Sequence, residues 1–280
     1  MKTLVHCYKH SDWWQNSPPG LGDFIRGCCH LYELAETHSL GFKIDLSKSG
    51  FSKFLDSDPI LIVDGDEIEV RQAREFFVNH SSLREEISLF LSDTREALYV
   101  STNLGQWDRI TLPLMTKDFM RRVLRFDLRF ARDVQNQVAA TDYNVLSVRC
   151  GDNFYDQPHS IPPPEYLGVV VKLIESHILG VANAPVVVTS DSFALKKWLA
   201  QRFNFHILPH RSEHGAFNIN IGPVATDMCL LSMSKMNFHI NLWASWWSGF
   251  SHYTSLIFDI PSLNFRAPNF SPEFVNISHG

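Results

Sequence analysis

Two series of short Val- and Ile-rich runs, each interleaved with segments of helical periodicity, constrain the fold of this 280-residue chain more than any other feature. In the first series TLVHCY, GFKIDL, DPILIVDGDEIEV and EALYVST read as strands, and DFIRGCCHLYELAETH and SLREEISLFL as helices. Asp64-Gly65-Asp66 supplies a hairpin turn inside the third of these strand segments, and Ser81 or Ser82 is a candidate helix cap. In the second series YNVLSVRCG, APVVVTSDS, FHILPH and NFHINLW are strand-like. The helical segments there are PPEYLGVVVKLIESHIL, FALKKWLAQRF, ATDMCLLSMSKM and ASWWSGFSHYTSLIF. Apolar strands alternating with helices form parallel sheets covered on both faces. Between the series, KDFMRRVLRFDLRFARDVQNQVAA reads as one long helix with a core stripe of Phe119, Val123, Phe126, Phe130 and Val134. The expected architecture is α/β, with one Rossmann-like domain over residues 1–140 and a second over 141–280.

Composition narrows the partners. A net charge of −5 argues against nucleic acid, whose binding proteins carry a basic surplus. No uncharged apolar run approaches the roughly 18 residues of a membrane span, and the N-terminus lacks the pattern of a signal peptide. Five cysteines without a C-x-x-C pair fit thiols in a reducing, cytoplasmic setting better than disulfides, and no zinc-ligand spacing is present. Arg121, Arg125, Arg129 and Arg132 form a basic stripe on the long helix, read as a solvated face or as a peripheral contact with an anionic membrane surface or acceptor.

Three stretches carry chemistry. PPGLGDFIRG, with Gly20, Gly22 and Gly27, fits neither the dinucleotide nor the P-loop spacing. It is either a packing turn or a helix start whose N–H groups face an anion. SVRCGDNF places Arg149 at the carboxyl end of a strand, where open α/β sheets bind ligands. A guanidinium there suits a diphosphate, or pairs internally with Asp152 or Asp156. Trp243, Trp246 and Trp247 either stack on a sugar ring or fill core beside a strand.

These stretches resemble a family. SVRCGD is similar to the H-x-R-R-G-D motif of the fucosyltransferase superfamily, with Ser147 and Cys150 in place of its His and second Arg. TSDSFALKKWL and TDMCLLSMSKMNFHINLWASWWSGF resemble the next two blocks, and GLGDFIRGCCHLYELAETHSLGFKIDL resembles the opening of the nodulation-factor fucosyltransferases. The resemblance implies a GT-B fold, two Rossmann-like domains facing each other across a cleft. It implies an inverting, metal-independent glycosyltransferase that moves a sugar from a nucleotide-sugar donor to a glycan acceptor. GDP-fucose is the family's donor; the changes at Ser147 and Cys150 leave a UDP-sugar such as UDP-xylose as the alternative. By position, Arg149 would hold the diphosphate, with Gly20, Gly22 and Asp23 across the cleft. Ser190, Asp191 and Trp246 would belong to the donor site, Asp227 would read the base, and Ser245 would meet a phosphate from a helix start. No cofactor is implied. Asp156 is the favoured base, with Asp152, Asp23 and Glu165 as rivals. Two other readings stand beside this one. A metal-dependent GT-A enzyme would hold its cation on Asp64 and Asp66, and a non-catalytic glycan- or nucleotide-binding module would keep the fold without the chemistry.

Overall fold

The computed structural model describes residues 1–280 except 10–19, 48, 64–72, 78, 107, 139, 152–159, 212–220, 246 and 276–280. Asp64, Asp66, Asp152, Asp156 and Trp246 therefore lie outside the described residues. The chain divides into two compact units. The first takes the described residues of Met1–Trp107 and Pro113–Asp127; the second takes those of Asp108–Leu112, Leu128–His214 and Ile221–Gly280.

In the first unit β1 (Thr3–Cys7), β2 (Gly41–Asp45), β3 (Ile62–Val63), β4 (Arg74–Phe76) and β5 (Ala97–Thr102) form a sheet ordered β3-β2-β1-β5-β4. All four pairings are parallel. Helix α1 (Leu21–Thr37) follows β1 and buries Phe24, Ile25, Cys28, Leu31 and Ala35. It can approach the sheet because position 27 has no side chain: a Cβ there would stand 2.2 Å from the Thr102 carbonyl oxygen. Helix α2 (His80–Ser92) is capped by Asn79, whose Oδ1 accepts from the N–H groups of Ser81 and Ser82. The capping oxygen thus lies two residues ahead of Ser81 and three ahead of Ser82, the serines expected to provide it.

The long central helix does not exist as one element. It is α3 (Leu114–Val123) and α4 (Leu128–Val138), and each belongs to a different unit. Between them the backbone finds other partners: Phe126 bridges Leu55, Asp127 N–H donates to Phe54 O, and Asp56 N–H donates to Arg125 O. The stripe is divided accordingly, with Phe119, Val123 and Phe126 buried in the first unit and Val134 in the second. The four arginines are divided with it: Arg121 lies on α3 and Arg125 in the break of the first unit, and Arg129 and Arg132 lie on α4 of the second. Arg121 pairs with Asp118 and Arg125 with Asp56. Helix α4, on the N-terminal side of residue 140, packs on the helix Gly222–Met233 of the second unit.

The second unit contains β6 (Asn144–Arg149), α5 (Pro164–Leu173) running into a π-helical turn at Ile174–Ile178, β7 (Val186–Ser190) and α6 (Phe193–Phe203). After these come α7 (Gly222–Met233), β8 (Met236–Asn241), α8 (Gly249–Phe258), β9 (Ser262–Arg266) and β10 (Glu273–Val275). The sheet order is β10-β9-β8-β6-β7, parallel except for β10. The segment FHILPH gives only a one-residue bridge, His206 to Val187, whereas β9 and β10 extend the sheet beyond the last expected helix.

Alternation sorts the two faces of this sheet. Leu146, Phe238 and Leu263 are register partners, as are Val148, Ile240 and Phe265; both rows are buried in the apolar core with Val170, Ile174, Leu195 and Leu199. The intervening rows are polar: Ser147, His239 and Asn264, then Arg149, Asn241 and Arg266. Helix α8 lies on this polar face, where Ser255 Oγ meets both Asn237 and His239. Among the described residues, no helix is long and apolar enough to cross a membrane.

Candidate active site at the switch point of the second sheet

The chain leaves β6 for β7 on one side and later returns to β8 on the other. In open α/β sheets the crevice beyond the strand ends at such a reversal is where ligands bind. Here it is lined by Ser147, Arg149, Asn241, Trp247, Ser248 and Ser251, with His239 and Asn264 deeper on the same polar face.

Arg149 ends β6. Its Nη1 donates to Asp191 Oδ2 at 2.8 Å, and the same carboxylate accepts from the N–H groups of Cys150 at 2.8 Å and Gly151 at 2.9 Å. Asp191 is almost fully buried, so these charge-assisted bonds offset its desolvation. The carboxylate fixes both the guanidinium and the turn that follows it. Gly151 makes the turn at φ +121°, and a Cβ would stand 2.7 Å from the Trp243 ring. Both facts require glycine at this position. Ser190 is internal as well: its Oγ donates to Val148 O and accepts from Ser192 N–H. Burial pushes the Cys150 thiol well above its usual range, so this neighbour of Arg149 stays a neutral packing group.

Across the crevice, β8 ends in Asn241, whose Oδ1 accepts from the N–H groups of Trp243 and Ala244 and turns the chain. Arg266 braces the loop beyond. It donates to Ser245 O at 2.9 Å, lies over the Trp247 ring at 5.2 Å and pairs with Glu273 and Asp108. Ser245 therefore sits in this loop, ahead of the helix start expected to carry it. Ser248 is the N-cap of α8, and its side chain makes no capping bond. The first intrahelical bond is His252 N–H to Ser248 O, leaving the N–H groups of residues 249–251 without a helical acceptor beside Arg149's crevice.

Asp227 belongs to a separate cluster. It is buried on α7, its Oδ1 lies 2.9 Å from His210 Nε2, and the buried Lys196 ammonium donates to His210 O. Burial lowers the Lys196 pKa and the Asp227 charge opposes that. In the first unit, Gly20 is the N-cap of α1 and Gly22 is buried within it. Asp23, in the first turn, accepts from the wholly buried Arg26, whose Nε donates to Asn103 O. The structure thus brings Arg149, Ser190 and Asp191 together and gives Asp23 and Asp227 internal partners. Trp243 is exposed and Trp247 is buried. His239, Asn241, Ser248, Ser251, Asn264 and Arg266 were not foreseen as site residues. The two-residue spacing of polar side chains in NFHINLW and SLNFR is the signal that would have found four of them.

No protein-family model matches the chain, and no curated protein matches it in sequence. Solved structures do match. A structure of the α-1,6-fucosyltransferase NodZ co-crystallised with GDP superposes with a TM-score of 0.59 at 12% identity, covering 99% of both chains. NodZ from Bradyrhizobium gives 0.57 at 12% identity over 98% of both chains. A mutant of Arabidopsis thaliana FUT1 in complex with GDP gives 0.56 at 13% identity, over 96% of this chain and 71% of that one. POFUT1 in complex with GDP-fucose gives 0.53 at 10% identity, over 94% and 98%. The chain has the fold of these fucosyltransferases. This is the GT-B fold, as the four sequence blocks imply, and its two separate sheets, parallel but for β10, overturn the GT-A fold of the alternative reading. Within the GT-B fold, Arg149 and the start of α8 stand at the switch point of the C-terminal sheet.

Proposed function

We propose that the chain is a glycosyltransferase that takes a nucleotide sugar, GDP-fucose in the first instance, and transfers the sugar to a glycan hydroxyl with inversion and without a metal. The observation that carries this reading is Arg149, buttressed by Asp191 and lining one crevice with the start of α8, whose first-turn N–H groups have no acceptor within the helix. A leaving diphosphate gains negative charge as the glycosidic bond breaks. A guanidinium and a helix N-terminus are the protein groups that stabilise such charge without a metal ion. The neighbours with this fold hold GDP and GDP-fucose, which supports that donor. The acceptor hydroxyl attacks the anomeric carbon from the face opposite the diphosphate and gives its proton to a carboxylate, for which Asp156 and Asp152 remain the candidates. UDP-linked sugars are the second donor class, because Ser147 and Cys150 depart from the family motif.

The test is thermal denaturation in EDTA-containing buffer with GDP-, UDP- and dTDP-sugars. A ligand at 100 times its Kd adds about 2.7 kcal/mol of stability. Stabilisation by GDP-fucose in EDTA is expected. Stabilisation by none of the nucleotides, or only when Mn²⁺ is added, would overturn the reading.

A further inference from the structure

The polar row behind Arg149 has a chemistry of its own. Ser147 on β6 stands in register with His239 on β8, and both face the recess that Arg149 lines. His239 is 5% exposed, and its Nδ1 has no partner among the described residues. Its tautomer follows from the surrounding bonds. Ser255 Oγ donates to Ser251 O and accepts from Asn237 Nδ2, so it accepts from His239 Nε2, 3.0 Å away. The proton is therefore on Nε2, and Nδ1 presents a lone pair. Burial, aided by His252, lowers the His239 pKa to about 3, which keeps the ring neutral. Lining the same recess is Trp247, 4% exposed, whose Nε1–H likewise has no partner among the described residues. Two buried acceptors, His239 Nδ1 and Asn264 Oδ1, and one buried donor, Trp247 Nε1–H, thus line the recess that Arg149 also lines, each without a partner among the described residues.

We propose that His239 and Trp247 form a hydroxyl-recognition site for the donor: a ligand hydroxyl accepts from Trp247 Nε1–H and donates to His239 Nδ1. The assignment rests on the nucleotide-sugar reading above. A phosphate oxygen has no proton for Nδ1 at neutral pH, and a cation has no use for an N–H donor, whereas a hydroxyl satisfies both. The side chain is supplied by β8, across from the position where the family motif carries its His and this chain has Ser147. The hydroxyl belongs either to the transferred sugar or to the nucleotide ribose.

Calorimetric titration of the full chain with GDP-fucose and with GDP separates these cases. His239→Ala and Trp247→Phe are each expected to weaken GDP-fucose binding about tenfold, the loss for one buried hydrogen bond left unmade. His239→Asn, which keeps an acceptor near Nδ1, is expected to restore most of it. Loss confined to GDP-fucose assigns the transferred sugar; equal loss for GDP assigns the ribose. Circular dichroism establishes that each variant is folded, and Trp247→Phe carries the test should His239→Ala not fold. Wild-type affinity for both ligands in folded variants would overturn the proposal alone. A wild-type chain that binds neither ligand would overturn the donor reading, and this proposal with it.

Discussion

Asp191 holds Arg149 by a 2.8 Å ion pair while the same carboxylate takes the next two backbone N–H groups. A guanidinium on a strand end is thereby joined to a glycine turn through one buried anion on the neighbouring strand's exit. Asp191→Asn would keep the shape but lose the charge and one of the acceptor positions. In the proposed enzyme, this should lower kcat/KM by roughly 100-fold, as small displacements of positioning groups do. Steady-state kinetics on the variant would check it, and an unchanged rate would mean that Arg149 needs no such support.

The opening glycines part company. Gly27 is a packing glycine, since its missing Cβ makes room for the Thr102 carbonyl. Gly27→Ala should destabilise the fold by about 1–3 kcal/mol or more, because the obstructing atom is backbone and cannot swing aside. The urea midpoint would register it. Stability equal to wild type would show that α1 can slide off the sheet at no cost.

Three histidines make stability depend on pH. Burial lowers His6 to about 3, His239 to about 3 and His252 to about 4. Below the unperturbed value near 6.5 the unfolded chain takes up these protons and the folded chain does not. Stability is therefore complete above about pH 6.5 and is lost as pH falls towards 3 to 4, by about 1.4 kcal/mol per pH unit for each histidine. Denaturation at pH 7 and pH 5 should differ markedly. Equal midpoints would mean that these rings are not buried neutral.

Much of this was legible in the sequence, for local reasons. Short β-branched runs such as VVVTS favour buried strands, and the strand-Arg-x-Gly order places Arg149 at a sheet end. What was missed depends on contacts between distant segments. The break after Val123 is made by residues 54–56, which offer the backbone around Phe126 a better set of partners than another helical turn. Asp191 was read as a ligand group, yet its role is set by β6 lying beside β7. His239 looked like one histidine among thirteen; only the register with Ser147 and the fold of α8 back onto β8 give it a direction.

Whether Arg149 receives a nucleotide-sugar diphosphate is tested most directly by GDP release from GDP-fucose with a glycan acceptor panel, wild type against Arg149→Ala. Release by the wild type in the presence of EDTA is expected, with its near loss in a variant that keeps the wild-type Tm. Full activity in a folded Arg149→Ala protein would contradict it.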